Sequence, residues 1–289
     1  MKVLDVIKLA RVQQYVKNIF IFLPLFFALK ITEIALFIDT FLAFLSFSLT
    51  ASAIYILNDY FDIEQDKKHP IKKNRPLASG NISKVHALLI MTLLLILGLS
   101  LMFYLSLSAT KILVLYVGMN IAYSAYFKHK AVIDITIIAI GFVLRIFVGS
   151  IVSNVTLSMW IVIMTFLLAL FMALAKRRDD VIIYEKTKKK VRQTVDGYSL
   201  QFLDMAMSMV ASVVIVSYIM YTTSAEVIHR VGSEYLYLTA LFVILGVMRY
   251  LIITLVNQDS DSPTRIILKD SFIQLTLLMW IVSFAWILY

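Results

Sequence analysis

Long apolar stretches recur along the whole of this 289-residue chain and leave only short polar intervals between them. A helix of about 20 apolar residues spans bilayer hydrocarbon, because it rises 1.5 Å per residue and satisfies its own backbone hydrogen bonds. The stretches predict nine helices, near 15–31, 34–57, 84–105, 109–127, 132–152, 157–176, 201–222, 234–256 and 268–288. Pro24 interrupts the first and makes its length marginal. Hydrophobic residues make up 61% of the chain and charged residues 16%, against roughly 25% charged in soluble domains. A soluble core of this length has no room for so much apolar sequence. The expected fold class is an all-α, multispanning membrane protein forming one domain over 1–289.

The basic residues orient it. With the N-terminus cytoplasmic, only Lys30, Lys111 and Arg230 of the 27 Lys and Arg fall on the far side. Arg145 and Arg249 lie within predicted helices. This asymmetry predicts N-terminus in, C-terminus out, in the cytoplasmic membrane. The net charge of +9 then reads as a topology signal and a contact with anionic membrane lipids, not as a nucleic-acid surface. The N-terminus lacks a signal-peptide cleavage pattern, so all 289 residues are expected in the mature chain. With no cysteine, disulfides and thiolate sites are excluded, and His69, His86, His129 and His229 are too scattered to form a ligand cluster. Two long cytoplasmic loops, about 58–83 and 176–200, each follow an apolar helix and open on clustered charge. They suggest a pseudo-repeat with a polar cap over each half.

The first loop carries the strongest chemical signal. Asn58, Asp59, Asp62 and Asp66 have helical spacing and fall within one arc of about 100°. Acids oppose the dipole at a helix C-terminus, and a cytoplasmic loop favours basic residues, so a solvated helix end explains them poorly. Oxygen-only ligands suit Mg²⁺, held by a carboxylate or two together with substrate phosphates. Glu64 points out of the arc. Basic residues follow, including Lys72, Lys73 and Arg75, the last in the turn Arg75-Pro76-Leu77-Ala78-Ser79-Gly80. Arginine offers phosphate a planar fork and lysine a point charge. Lys67 and Lys68 read as plain positive-inside charge, as do Lys186–Lys190 and Arg192.

Other polar residues lie along the helices. Asn120, Ser124 and Lys128 form a stripe at i, i+4 and i+8 beside Tyr123, suited to lining the same cavity. Asp134 and Arg145 share a face of the fifth predicted helix, with Gly141 between them and Gly149 beyond. Ionisable residues at membrane depth face a cavity or a partner, so the alternative is a structural charge pair to another helix. Lys176 and Asp180 share a face at the end of the sixth helix, beside Arg177 and Asp179. Arg11, Lys17 and Asn18 precede the first helix, and Lys17 and Asn18 are candidates for the cavity.

The run from Asn58 to Asp66, followed by Arg75-Pro76-Leu77-x-x-Gly80, resembles the first signature of the UbiA superfamily of intramembrane prenyltransferases. The resemblance implies nine helices around a central cavity, open sideways to lipid and capped by cytoplasmic loops, with Mg²⁺ on acidic motifs gripping a diphosphate. Most members carry a second D-x-x-x-D motif after the sixth helix; here the segment gives Lys176-x-x-x-Asp180. That departure resembles the decaprenyl-phosphate phosphoribosyltransferase branch. So do Tyr15-Val-Lys17-Asn18, Tyr123-Ser124 with Lys128-His129, Ala131-Val-Ile-Asp134, Gly141-Phe-x-x-Arg145 and Phe171-Met with Lys176-Arg177.

The branch implies transfer of 5-phosphoribose from phosphoribosyl pyrophosphate (PRPP) to a polyprenyl phosphate lipid. Asn58, Asp59, Asp62 and Asp66 would hold the metal. Asp62, Asp66, Lys176 and Asp180 would be catalytic, with Asp180 positioning Lys176 or the ribose hydroxyls. Lys17, Asn18, Lys73, Arg75, Tyr123, Lys128, Asp134, Arg145 and Arg177 would bind substrate. Lys176, in place of a metal-binding acid, supplies a cation for a second anion. The competing readings are an aromatic prenyltransferase and a transporter or lipid-binding protein without chemistry. A homo-oligomer is left open.

Overall fold

The computed structural model describes residues 3–68, 72–188, 193–257, 266 and 269–288. His69, Lys189, Lys190 and Arg192 lie outside these, as do parts of both expected cap loops. The described residues are helical throughout their ordered elements, with no strand. They fall into two compact units, Met1–Lys128 with Ile140–Leu157, and His129–Ala139 with Ser158–Tyr289.

The first unit opens with α1 (Val3–Ala10), a 3₁₀ helix (Val12–Phe22) and α2 (Leu23–Phe27). The predicted span 15–31 therefore does not form as one α-helix. The segment winds as 3₁₀ up to Phe22, and the short α2 begins at Leu23 with Pro24 in its first turn. Proline suits that position because its missing N–H is not needed there.

Next come α3 (Ile34–Phe61), α4 (Ile63–Lys68), α5 (Lys84–Leu105) and α6 (Leu107–Ala125). A single residue, Ser106, ends α5 and caps α6, its hydroxyl accepting from Ala109 N–H at 3.3 Å. α3 packs along α5, where a side chain on Gly98 would strike Thr50 and the Ser46 carbonyl. Ser46 Oγ donates to the Gly98 carbonyl at 2.6 Å. Ile21, Phe47, Leu113, Tyr116, Leu144 and Val148 form part of a buried core. Nearer the acidic motif, Leu9, Ile56, Leu77 and Ile82 form another.

α7 (Ile133–Val152) gives its residues through Ala139 to the second unit and the remainder to the first. Its Gly149 meets the Ile21 carbonyl, so an alanine there would collide with backbone. The second unit continues with α8 (Met159–Thr187), α9 (Leu200–Thr222), α10 (Ala225–Val231), α11 (Ala240–Leu251) and α12 (Ser271–Leu288). Phe171, Leu174, Leu203, Met207, Val210 and Tyr250 anchor its core. A short π-helix (Ile252–Val256) extends α11.

Seven helices among the described residues are long and apolar enough to cross a membrane, and Ser271–Ile287 is apolar but shorter. Two spans outrun their apolar stretches. α3 carries on into the acidic motif at Phe61, and α8 runs on to Thr187, past Lys176.

Candidate functional site

The acidic motif sits where α3 hands over to α4. Asp62 ends α3, yet Asp62 N–H bonds the Asn58 carbonyl at 3.0 Å and Asp66 N–H bonds the Asp62 carbonyl at 2.8 Å. The helical ladder thus passes through the junction and keeps the motif's spacing. Asp59 and Asp66 are each only 3% exposed, and a bare carboxylate so enclosed is costly. Cations from other segments meet them. Arg11 Nη2 bonds Asp59 Oδ1, and its guanidinium lies 5.3 Å from the centre of the Tyr55 ring. Arg75 Nη1 donates to Asp59 Oδ1 at 3.0 Å and to Asp66 Oδ2 at 2.6 Å. Asp62 pairs with Lys128 Nζ at 2.8 Å, and Asn58 Oδ1 accepts from Ser124. Glu64 is exposed and accepts from Lys67 Nζ at 2.8 Å.

Two carboxylates therefore converge on one positive nitrogen, that of Arg75. Among the described residues no three His, Cys, Asp or Glu side chains form a ready ligand set. An oxygen-only pair converging on one cation nonetheless fits Mg²⁺, which takes one or two carboxylates and completes its shell with phosphate and water.

Ser124 of α6 and Lys128, which lies beyond that helix in a 3₁₀ turn (Phe127–His129), reach this segment, while Asn120 turns back to the Tyr116 carbonyl at 2.8 Å. Tyr123 is half-buried and Lys73 is exposed in a 3₁₀ turn, Lys72–Asn74. Lys17 is half-buried, whereas Asn18 is enclosed: it donates to Ser48 Oγ at 2.8 Å and accepts from Arg145 Nε at 2.8 Å. Arg145 also donates to the Gly141 carbonyl at 2.6 Å, and its guanidinium lies 4.7 Å from the Phe47 ring centre and 5.2 Å from those of Tyr116 and Phe142. Asn18 and Arg145 are 1% and 4% exposed, so their surfaces are spent on the protein itself.

In the second unit, Asp134 at the start of α7 is fully enclosed. Arg177 Nε reaches its Oδ2 at 2.6 Å, and Tyr198 Oη donates to its Oδ1 at 2.7 Å. The same Tyr198 oxygen accepts from the N–H of Val132, a β-branched residue at φ 68°. This is the charge pair to another helix, in place of an open contact for Asp134 and Arg177. The shared face of Lys176 and Asp180 resolves differently from expectation: Lys176 Nζ bonds Asp179 Oδ2 at 2.7 Å, while Asp180 Oδ2 accepts from Arg177 Nη1 at 3.2 Å. On a helix, i+3 and i+4 are both neighbours, and the burial of Arg177 draws Asp180 inward. Arg178, next along, bonds Asp204 Oδ1 at 2.6 Å and the Thr254 carbonyl at 2.7 Å. Arg11, Arg178, Asp179, Tyr198 and Asp204 belong to these networks without an expected role; Arg11, just ahead of a predicted helix, and Asp179, in the charge cluster after the sixth, carry a local signal in the sequence.

The sequence model of the UbiA prenyltransferase family matches residues 19–275. The chain is 28% identical over 282 residues to a decaprenyl-phosphate phosphoribosyltransferase of Corynebacterium glutamicum, covering 95% of this chain and 84% of that protein. A protein of the same name from Mycobacterium tuberculosis is 26% identical over 288 residues, covering 97% and 93%. Among solved structures, a UbiA homolog from Archaeoglobus fulgidus bound to DMAPP and Mg²⁺ is similar with a TM-score of 0.73, at 18% identity and 98% coverage of both chains. That last likeness is one of fold. Membrane-spanning helices, an acidic segment at the end of one of them and a family match over most of the sequence agree: the chain is a membrane transferase and belongs to the UbiA prenyltransferase family.

Proposed function

We propose that the protein transfers 5-phosphoribose from PRPP to a polyprenyl phosphate with Mg²⁺, releasing diphosphate. The observation that carries the reading is the convergence of Asp59 and Asp66 on the single cation Arg75, flanked by Arg11 and Lys128 from two other segments. Likeness to the decaprenyl-phosphate phosphoribosyltransferases over nearly the whole chain supports a phosphoribosyl group moving to a polyprenyl phosphate. Lys176, standing where the wider family pattern has an acid, supports a second anion.

Asp59, Asp66 and Asp62, with Asn58, would hold Mg²⁺. When bound, the metal supplies Lewis-acid stabilisation of charge on the leaving diphosphate. Arg75 and Lys128 contact substrate phosphate, with Lys73 and Lys17 nearer solvent. Lys176, oriented by Asp179, holds the lipid phosphate for attack on C1 of the ribose. That phosphate is already an anion near neutral pH, so no strong general base is required and placement does most of the work. Tyr123 contributes a polar wall. Asn18, Arg145, Asp134 and Arg177 take positioning roles, since each is enclosed and bonded within its own unit. Asp180 steadies Arg177. Residues 1–289 act as one transferase domain in the cytoplasmic membrane, with the N-terminus inside and the C-terminus outside, following the basic residues.

The test is a donor screen with purified protein, with and without EDTA. Labelled PRPP and polyprenyl phosphate should give a lipid-linked phosphoribose only with Mg²⁺. Turnover of a prenyl diphosphate with an aromatic acid, and none of PRPP, would make it an aromatic prenyltransferase instead.

A further inference from the structure

We infer that Arg75 is an exchangeable counter-ion: it holds Asp59 and Asp66 until a divalent cation displaces it, and the freed guanidinium then grips the diphosphate that accompanies the cation. The inference rests on the proposed metal role of these acids and goes on to the order in which metal and diphosphate bind.

The geometry favours a swap of partners. One nitrogen, Arg75 Nη1, occupies the point on which both carboxylates converge, so a metal bound by both must move it. The backbone beneath it is fixed. Arg75 N–H bonds the Lys72 carbonyl at 2.9 Å, Ser79 N–H bonds the Arg75 carbonyl at 2.8 Å, and Ile82 N–H bonds the Pro76 carbonyl at 3.1 Å. Pro76 and Leu77 are buried beside it. The side chain, 27% exposed, is what remains to move.

Charge dictates the coupling. Asp59, Asp62 and Asp66 face Arg11, Arg75 and Lys128, so the cluster is formally balanced. A divalent cation added alone leaves two positive charges in excess in a poorly solvated corner. A diphosphate added alone meets Arg11 and Arg75 each already paired with a carboxylate, through Nη2 and Nη1. Together the two satisfy everything: the acids take the metal, and the planar fork of Arg75 takes phosphate oxygens. Metal and diphosphate should therefore each tighten the other, by the same factor in either direction.

The experiment is equilibrium dialysis of the purified full chain with labelled Mn²⁺, with and without pyrophosphate. In the unaltered protein, pyrophosphate should tighten Mn²⁺ binding by about tenfold or more. Arg75→Gln should bind Mn²⁺ alone several-fold more tightly than the unaltered protein and lose most of the pyrophosphate enhancement. Arg75→Lys should shift both quantities the same way by less, and it serves where the glutamine variant does not fold. Equal Mn²⁺ affinity in both chains with undiminished enhancement overturns the exchange while leaving the metal assignment standing. If Asp66→Asn binds Mn²⁺ as the unaltered protein does, the metal assignment falls and the exchange with it.

Discussion

Arg177 and Asp134 form an ion pair with a 2.6 Å Nε–Oδ2 bond, and both side chains are sealed from solvent, at 2% and 0% exposure. A pair this enclosed stabilises chiefly by being complete, because removing one partner strands the other's charge. Asp134→Asn should lower the unfolding free energy by about 3–5 kcal/mol, the usual range for breaking a buried pair. Replacing both residues with apolar ones, Asp134→Leu with Arg177→Met, should cost less than the single change. Thermal unfolding in detergent gives the comparison, and a silent Asp134→Asn would remove the pair's positioning role.

Tyr198 closes the same network. Burial first, and then its hydrogen bond to Asp134, push its phenol above the ordinary tyrosine range. A folded-state value above the unfolded one, roughly 10, means that stability is whole below that pH and declines as pH rises through it toward the folded value. Tyr198→Phe should lose about 1–3 kcal/mol near neutrality, with Val132 N–H and Asp134 each left short of a partner. The difference in melting temperature between the two chains should then narrow above pH 10. A constant difference across that range would count against the burial of the phenol.

How much of this was legible depends on the range over which each feature is decided. Most membrane-spanning helices followed from local apolarity, which is why α5, α7 and α9 lie close to their predicted limits. The 3₁₀ segment Val12–Phe22 did not, because hydropathy is blind to the pitch of a helix. Nor did the polar last turns of α8, since the same signal ends where charge begins, although the hydrogen-bonded ladder continues to Thr187. At the site, Asp62 and Lys128 each carry a local signal, yet their bond, like that of Arg11 with Asp59, joins residues far apart in sequence. The choice of Asp179 over Asp180 for Lys176 was likewise set by tertiary burial.

Lys176 and Asp179 yield a kinetic prediction. Lys176→Ala should raise KM for polyprenyl phosphate about tenfold, equivalent to 1.4 kcal/mol, and leave KM for PRPP within about twofold. Asp179→Asn should move the same constant in the same direction by less, because a partly exposed pair contributes little on its own. Steady-state kinetics with each substrate varied separately decides it. An effect confined to PRPP would assign Lys176 to the donor.

Of Asp59, Asp62 and Asp66, Asp62 is the one whose pairing leaves it most open, at 30% exposure. Asp62→Asn should lower kcat by about 10²–10³, the range for losing one electrostatic contact to a transition state. Unaltered turnover at saturating Mg²⁺ would exclude Asp62 from the metal shell.

A metal joining the motif's carboxylates to the diphosphate of PRPP is open to direct spectroscopy. Phosphorus-31 ENDOR on Mn²⁺-loaded protein with PRPP should show strong hyperfine coupling from diphosphate phosphorus, lost in Asp66→Asn. Protein-bound Mn²⁺ that shows no phosphorus coupling, or coupling that survives Asp66→Asn unchanged, would contradict it.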